Sequence, residues 1–169
     1  MSNPPYPPPL PGPMNTPPEP AEWLRLRALG VLNNLVGMVA LGRRAGLTPE
    51  QCARFVVEQY RDHGFHDGWR TLHGTGNAAQ FAEIFAAGRR MLYDEVIVSA
   101  AEGGFLVRSR AWYHDPQPEV FFFMDVELPE LDRFSVEVMR VHAEELAIEL
   151  DIRRSGEWEV ALIRPRKEP

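Results

Sequence analysis

Glu95-Val96-Ile97-Val98-Ser99-Ala100-Ala101-Glu102-Gly103-Gly104-Phe105-Leu106-Val107-Arg108-Ser109-Arg110-Ala111-Trp112-Tyr113 decides the fold. Up to Tyr93 the apolar residues recur at helical spacing; here the period becomes two, the mark of pleated strands. Gly103-Gly104 between the two runs predicts a tight hairpin joining Glu95–Ala101 to Phe105–Tyr113. In the second run Phe105, Val107, Ser109, Ala111 and Tyr113 face one way, and Leu106, Arg108, Arg110 and Trp112 the other.

Downstream, a turn at Asp115-Pro116-Gln117-Pro118 leads to a predicted third strand, Val120–Leu128. Antiparallel pairing brings its Asp125 and Glu127 opposite Arg108 and Arg110 as cross-strand ion pairs. A helix is predicted over about Pro129–Leu150, with Leu131, Phe134, Val138, Val141 and Leu146 inward. Asp151–Arg154 and Trp158–Arg164 flank Ser155-Gly156 as a closing hairpin.

Upstream, three helices are predicted. Ala21–Arg44 is apolar nearly all round, so it is expected to be buried on most faces, in the core or against a second subunit. Gly30, Gly37 and Gly42 permit close backbone approach there. Thr48, Pro49 and Gln51 form a capping box for a helix that ends at Gly64. Asn77, with Gln80 three residues on, caps another carrying Phe81, Ile84, Phe85 and Leu92. Helices, strands, a helix and a last hairpin predict an α+β domain. Its helical N-terminal half packs on an antiparallel sheet of four to five strands, with a helix inserted before the last strands.

Ten of the sixteen prolines lie in Met1–Pro20. Residues 1–20 are therefore expected to be a disordered, polyproline-like tail, and residues 21–165 a single domain. Pro8-Pro9-Leu10-Pro11 is similar to the proline motifs that WW domains bind, although a spacer is the simpler reading. Net charge is −6 and Lys167 is the single lysine, which argues against nucleic acid. A lone Cys52 excludes a disulfide framework and fits a reducing cytoplasm. No secretory signal is read at the N-terminus. Ala28–Leu41 is too short and too polar to span a bilayer, so no membrane association is expected.

His63, His66 and His73 fall with Asp62, Asp67 and Trp69 in a glycine-rich run, Tyr60–Gly76. Imidazole and carboxylate suit zinc or iron, yet Gly64 and Gly68 are expected to break any helix that would align them. The run is accordingly read as a polar inter-helix loop with no metal. Gly74-Thr75-Gly76-Asn77 before a helix can cradle an anion, but a capped turn explains it with less. His142 and Glu145 share one side of a helix and can serve as acid and base. Cys52, one turn inside a helix, is expected to be inert packing. Trp69, Trp112, Tyr113, Phe121, Phe123 and Trp158 can line an apolar pocket between sheet and helices, with the histidines at its mouth. Core packing or a dimer surface uses the same residues.

The order of features from Ala53 to Tyr113 resembles the L-2-amino-thiazoline-4-carboxylic acid hydrolase-like family. Tyr60-x-x-x-Gly64 ends a helix, a glycine loop leads to a helix with Phe81 and Phe85, and Leu106-Val107-Arg108 lies in a hairpin strand. Ser155-Gly156-Glu157-Trp158 resembles the turn of that family and of 4-vinyl reductase-type domains. The resemblance implies the scaffold and a ligand pocket. Where those families carry cysteines, this chain has Trp112 or Tyr113, and Trp158, so cysteine chemistry is not implied.

The expected function is binding of a small organic molecule without a cofactor. The expected contacts are His63, His66, Trp69, His73, Arg108 and Trp112, with an arginine facing a ligand carboxylate. The alternatives are a hydrolase with His66 or His142 as general base for water, and an interaction protein that displays the proline tail. A homodimer is expected.

Overall fold

The computed structural model describes residues 20–92, 95–110 and 124–166. Five helices and four strands follow in the order α1 (Pro20–Arg44), α2 (Pro49–Asp62), α3 (Phe65–His73), α4 (Ala78–Arg90), β1 (Glu95–Ala101), β2 (Gly104–Arg110), α5 (Leu128–Glu145), β3 (Ile148–Ser155) and β4 (Trp158–Pro165). The strands form one antiparallel sheet in the order β1-β2-β4-β3. The fold is α+β, with most of the helix in the N-terminal half and α5 ahead of the last hairpin. Predictions for the tail, for Trp112 and for the segment 111–123 lie outside the described residues.

The β1–β2 alternation is as the sequence reads. Val107 and Ser109 are fully buried beneath the helices, while Arg108 is exposed on the other face. The hairpin turn is one residue earlier than predicted. Ala101 pairs with Gly104, so Glu102-Gly103 makes the turn and Gly103 takes a φ of 72°. Gly104 is a strand residue for a different reason. A Cβ there would lie 2.1 Å from the Ile163 carbonyl oxygen across the ladder, too close for any side chain.

The predicted third strand is overturned from Met124 onward. β2 is bordered on one side by β1 and on the other by β4, where Arg108 pairs with Val160 and Arg110 with Trp158. No edge of β2 remains for Asp125 and Glu127. Met124 and Asp125 instead have φ of 64° and 56°, a left-handed turn. Arg43 holds it by donating to both carbonyls, at 2.9 and 2.7 Å. Arg108 lies 4.6 Å above the Trp158 ring, and Arg110 pairs with Glu157 at 3.5 Å.

The final predicted helix is also shorter than expected. α5 opens with a capping box between Glu127 and Glu130, and Pro129 fits its first turn. It ends at Glu145, because Ala147 adopts a φ of 56° and sends the chain directly into β3. Ile148 and Leu150, predicted as helix, are strand.

α5 joins two cores. Its first half packs with α1 and α2 around Leu32, Val36, Leu131 and Phe134. Its last turn packs with α4 and the sheet around Phe81, Phe85, Val107, Ala161 and Ile163. Glu137, buried between α2 and α5, is paired by Arg54 and Arg140. Of the three glycines in α1, only Gly42 meets a neighbour: a Cβ there would lie 2.9 Å from the Cys52 sulfur. Cys52 thus packs the α1–α2 contact, and its burial pushes the thiol pKa upward, toward the inert protonated form.

One ion pair lies within the sheet–helix interface. Arg89 Nε of α4 donates to Glu159 Oε1 of β4 at 2.6 Å, with the Arg89 guanidinium 4.5 Å from the Phe85 ring. Both side chains are under a tenth exposed. Removing one leaves the other buried charge without its opposite across this interface, whereas removing both leaves mainly a packing change. Arg89→Met is expected to cost about 3–5 kcal/mol in urea unfolding, and Arg89→Met/Glu159→Leu to recover most of it. A double variant no more stable than the single one would contradict this.

Candidate functional site

The run from Tyr60 to Gly76 is not a loop. His63 caps α2, Gly64 follows with a φ of 77°, and α3 begins at Phe65. Gly68, read as a breaker, sits inside α3 with open space around it. At a short helix's exposed face, the cost of one glycine is about 1 kcal/mol. Packing of Trp69 and His66 on the opposite face outweighs it.

That helix separates the histidines. His66 is 1% exposed, and its Nε2 lies 2.9 Å from Nδ1 of His142 on α5, a residue 76 positions away. His63 is at the surface, where its Nδ1–H donates to the Gln59 carbonyl at 2.7 Å. His73 stacks against Trp69, ring centroids 4.7 Å apart, and Trp69 belongs to the sheet core. Arg108 is on the outer face of the sheet over Trp158. Of the six expected ligand contacts, Trp112 lies outside the described residues, and Arg108 stands apart from the histidines on the outer face of the sheet. His66 and Trp69 share the buried face of α3, and His63 lies beside Phe65 at the α2–α3 junction.

Among the described residues the space between sheet and helices is filled by core side chains; Trp112, Tyr113, Phe121 and Phe123, expected to line a hollow there, lie outside them. A different one, about 270 Å³, opens between α2 and α3 and is lined by Gln59, Tyr60, His63 and Phe65. Tyr60 and Phe65 meet edge to face with centroids 5.4 Å apart, and both rings reach the His142 ring at 5.4 and 5.8 Å. Both aromatics remain 48% and 44% exposed, an unusual use of two large rings unless something covers them. Glu145 borders the corner. Its carboxylate is 3.6 Å from Arg61, and its carbonyl accepts from Arg70 at 2.6 Å. The helical spacing of His142 and Glu145 was legible. The contact that His142 makes with His66 was not, because no local pattern links positions so far apart.

Burial sets the protonation of the pair. It lowers the His66 pKa, and it lowers that of His142 to about 4, with the nearby His66 adding to the effect. Both rings are neutral at pH 7. Two tautomer arrangements can then fill the shared hydrogen bond. His66 Nδ1 is buried without a hydrogen-bond partner among the described residues. It is unsatisfied in either arrangement, as an N–H donor or as a lone-pair acceptor, at a cost of about 1–3 kcal/mol. In one arrangement His66 Nε2 carries the shared proton and donates to His142 Nδ1. His142 Nε2 then carries its own proton and is a donor.

Among the described residues no three His, Cys, Asp or Glu side chains gather as a metal site. The Gly74–Asn77 turn is not an anion cradle. Asn77 accepts from the Gln80 amide at 3.0 Å, and the Gly76 amide donates to the Leu146 carbonyl at 3.0 Å. Among the described residues no helix is long and apolar enough to cross a membrane.

The chain is similar to the uncharacterized protein YxnB of Bacillus subtilis (strain 168). The two are 28% identical over 137 residues, 81% of this chain and 86% of that one. No family model matches the chain, and no solved structure matches it.

The depressed histidines make stability depend on pH. The unfolded chain takes up protons near pH 6.5, and the folded His142 only near 4. Stability is thus complete above pH 6.5 and is lost as pH falls toward 4. For His142 the loss is about 2 kcal/mol by pH 5, before most carboxylates titrate. Urea midpoints at pH 7 and pH 5 measure it. His66→Leu/His142→Leu is expected to show a clearly shallower decline; an unchanged decline would mean that other groups are responsible.

Proposed function

We propose that the protein binds a small organic molecule at the corner of α2, α3 and α5. The observation that carries this reading is the aromatic hollow of Gln59, Tyr60, His63 and Phe65 beside the neutral His66–His142 pair. Such a wall accepts an apolar or aromatic body, and a neutral imidazole N–H donates to a carbonyl or carboxylate oxygen. The likeness of the Tyr60–Gly64 helix end and the Leu106–Arg108 strand to hydrolase-like proteins supports a ligand-binding scaffold. The missing family cysteines, with Trp158 in one of their places, weigh against cysteine chemistry. A lone buried thiol supports a cytoplasmic setting.

A hydrolase needs His142 Nε2 unprotonated, as the base for water. That form transfers the shared proton to His142 Nδ1 and leaves the buried Nδ1–H of His66 as the orphaned donor.

Native mass spectrometry of the purified protein, with a titration of benzoate and 4-hydroxyphenylacetate followed by NMR, tests the reading. An adduct, or movement of the His142 and Tyr60 signals, is expected. Tyr60→Ala/Phe65→Ala should weaken binding at least tenfold without loss of the fold, since both rings are about half exposed. No adduct and no movement of those signals, or equal binding by the double variant, would rule the site out.

A further inference from the structure

α1 was expected to be buried on most faces, in the core or against a second subunit, and among the described residues one face of it stays open. Its inner face, with Leu32, Val36 and Val39, is in the core. Its outer face carries Leu26, Gly30, Asn33, Asn34, Gly37 and Leu41 on one stripe, about 100° wide at 3.6 residues per turn. Leu26 is 51% and Leu41 69% exposed, and a Cβ on Gly30 or Gly37 would meet nothing within 4 Å. Among the described residues this stripe has no partner. Two interior glycines cost the helix about 1 kcal/mol each relative to alanine, with no contact among the described residues to offset it.

The order of the stripe names its partner. Outward from the Asn33–Asn34 bond the sequence reads Asn, Gly, Leu in both directions, at the same spacings: Asn33, Gly30, Leu26 one way and Asn34, Gly37, Leu41 the other. A surface with that symmetry is complementary to itself when turned end for end, the condition for a two-fold interface. We propose that α1 pairs antiparallel with α1 of a second copy about an axis through Asn33–Asn34. Leu26 then meets Leu41 of the other copy, Gly30 meets Gly37, and the asparagines meet at the centre. The facing glycines let the backbones approach closely, and the asparagine amides hydrogen-bond across the axis. Charge agrees with this orientation. Arg27 falls opposite Ala40 and Arg43 opposite Leu24, so no arginine faces another. A parallel pair would set Arg27 against Arg27. The seam is short, about 24 Å, which places the dimer at the weak end of stable interfaces. This proposal is independent of the α2–α3 hollow.

Sedimentation of the full chain between about 1 and 100 μM tests it. The wild type is expected to dimerise, and Gly30→Glu or Gly37→Glu to raise the dissociation constant at least tenfold. Neither change should harm the monomer, because both positions are open and glutamate is a better helix former than glycine. Asn34→Cys should give a disulfide-linked dimer under mild oxidation, with the wild type, whose Cys52 is buried, as control. Leu41→Cys should not, since its two copies would lie about 22 Å apart. A monomer at every concentration, a dimer indifferent to both glutamates, or cross-linking through Leu41→Cys would overturn the proposal.

Discussion

The end of α5 is the joint on which the rest of the molecule closes. A helix leaves its last carbonyls without intrahelical partners, and a buried helix end must find others. Three segments distant in sequence supply them. Arg70 of α3 donates to Glu145, the Gly76 amide before α4 to Leu146, and the Arg166 amide after β4 to Ala147. The left-handed Ala147 turns these carbonyls apart and starts β3 at once. One helix terminus thereby fixes α3, the entrance to α4 and the end of the sheet.

The candidate site is a consequence of that joint. Docking α3 against the last turn of α5 sets His66 beside His142, and the α2–α3 junction brings Tyr60 and Phe65 to the same place. Neither histidine retains ordinary solvation there, so each stays neutral and the pair acts as a fixed arrangement of one donor and one acceptor. The electrostatics of the corner follow from packing, and the local sequence around either residue does not encode them.

Much of the architecture is legible from local patterns. The Glu95–Arg110 alternation, the capping box at Thr48, the N-cap at Asn77 and the turn at Gly156 each express a rule acting within a few residues. The misread elements are those where tertiary contacts outweigh local preference. Gly68 looks like a breaker, but α3 persists because Trp69 and His66 are buried on its other side. Met124-Asp125 follows strand-like residues, but Arg43 captures both carbonyls in a left-handed turn. Leu146 to Leu150 continues a helical pattern, but the sheet needs β3 along the edge of β4.

The sequence alone determined the class of fold, the alternation of the central hairpin and the self-symmetric order of residues 26–41, because period and capping act over short distances. Only the tertiary structure decided which histidines meet, which face of α1 stays open and which strands border β2. Those outcomes depend on chain segments brought together from far apart, where burial of the whole core outweighs the preference of any one residue.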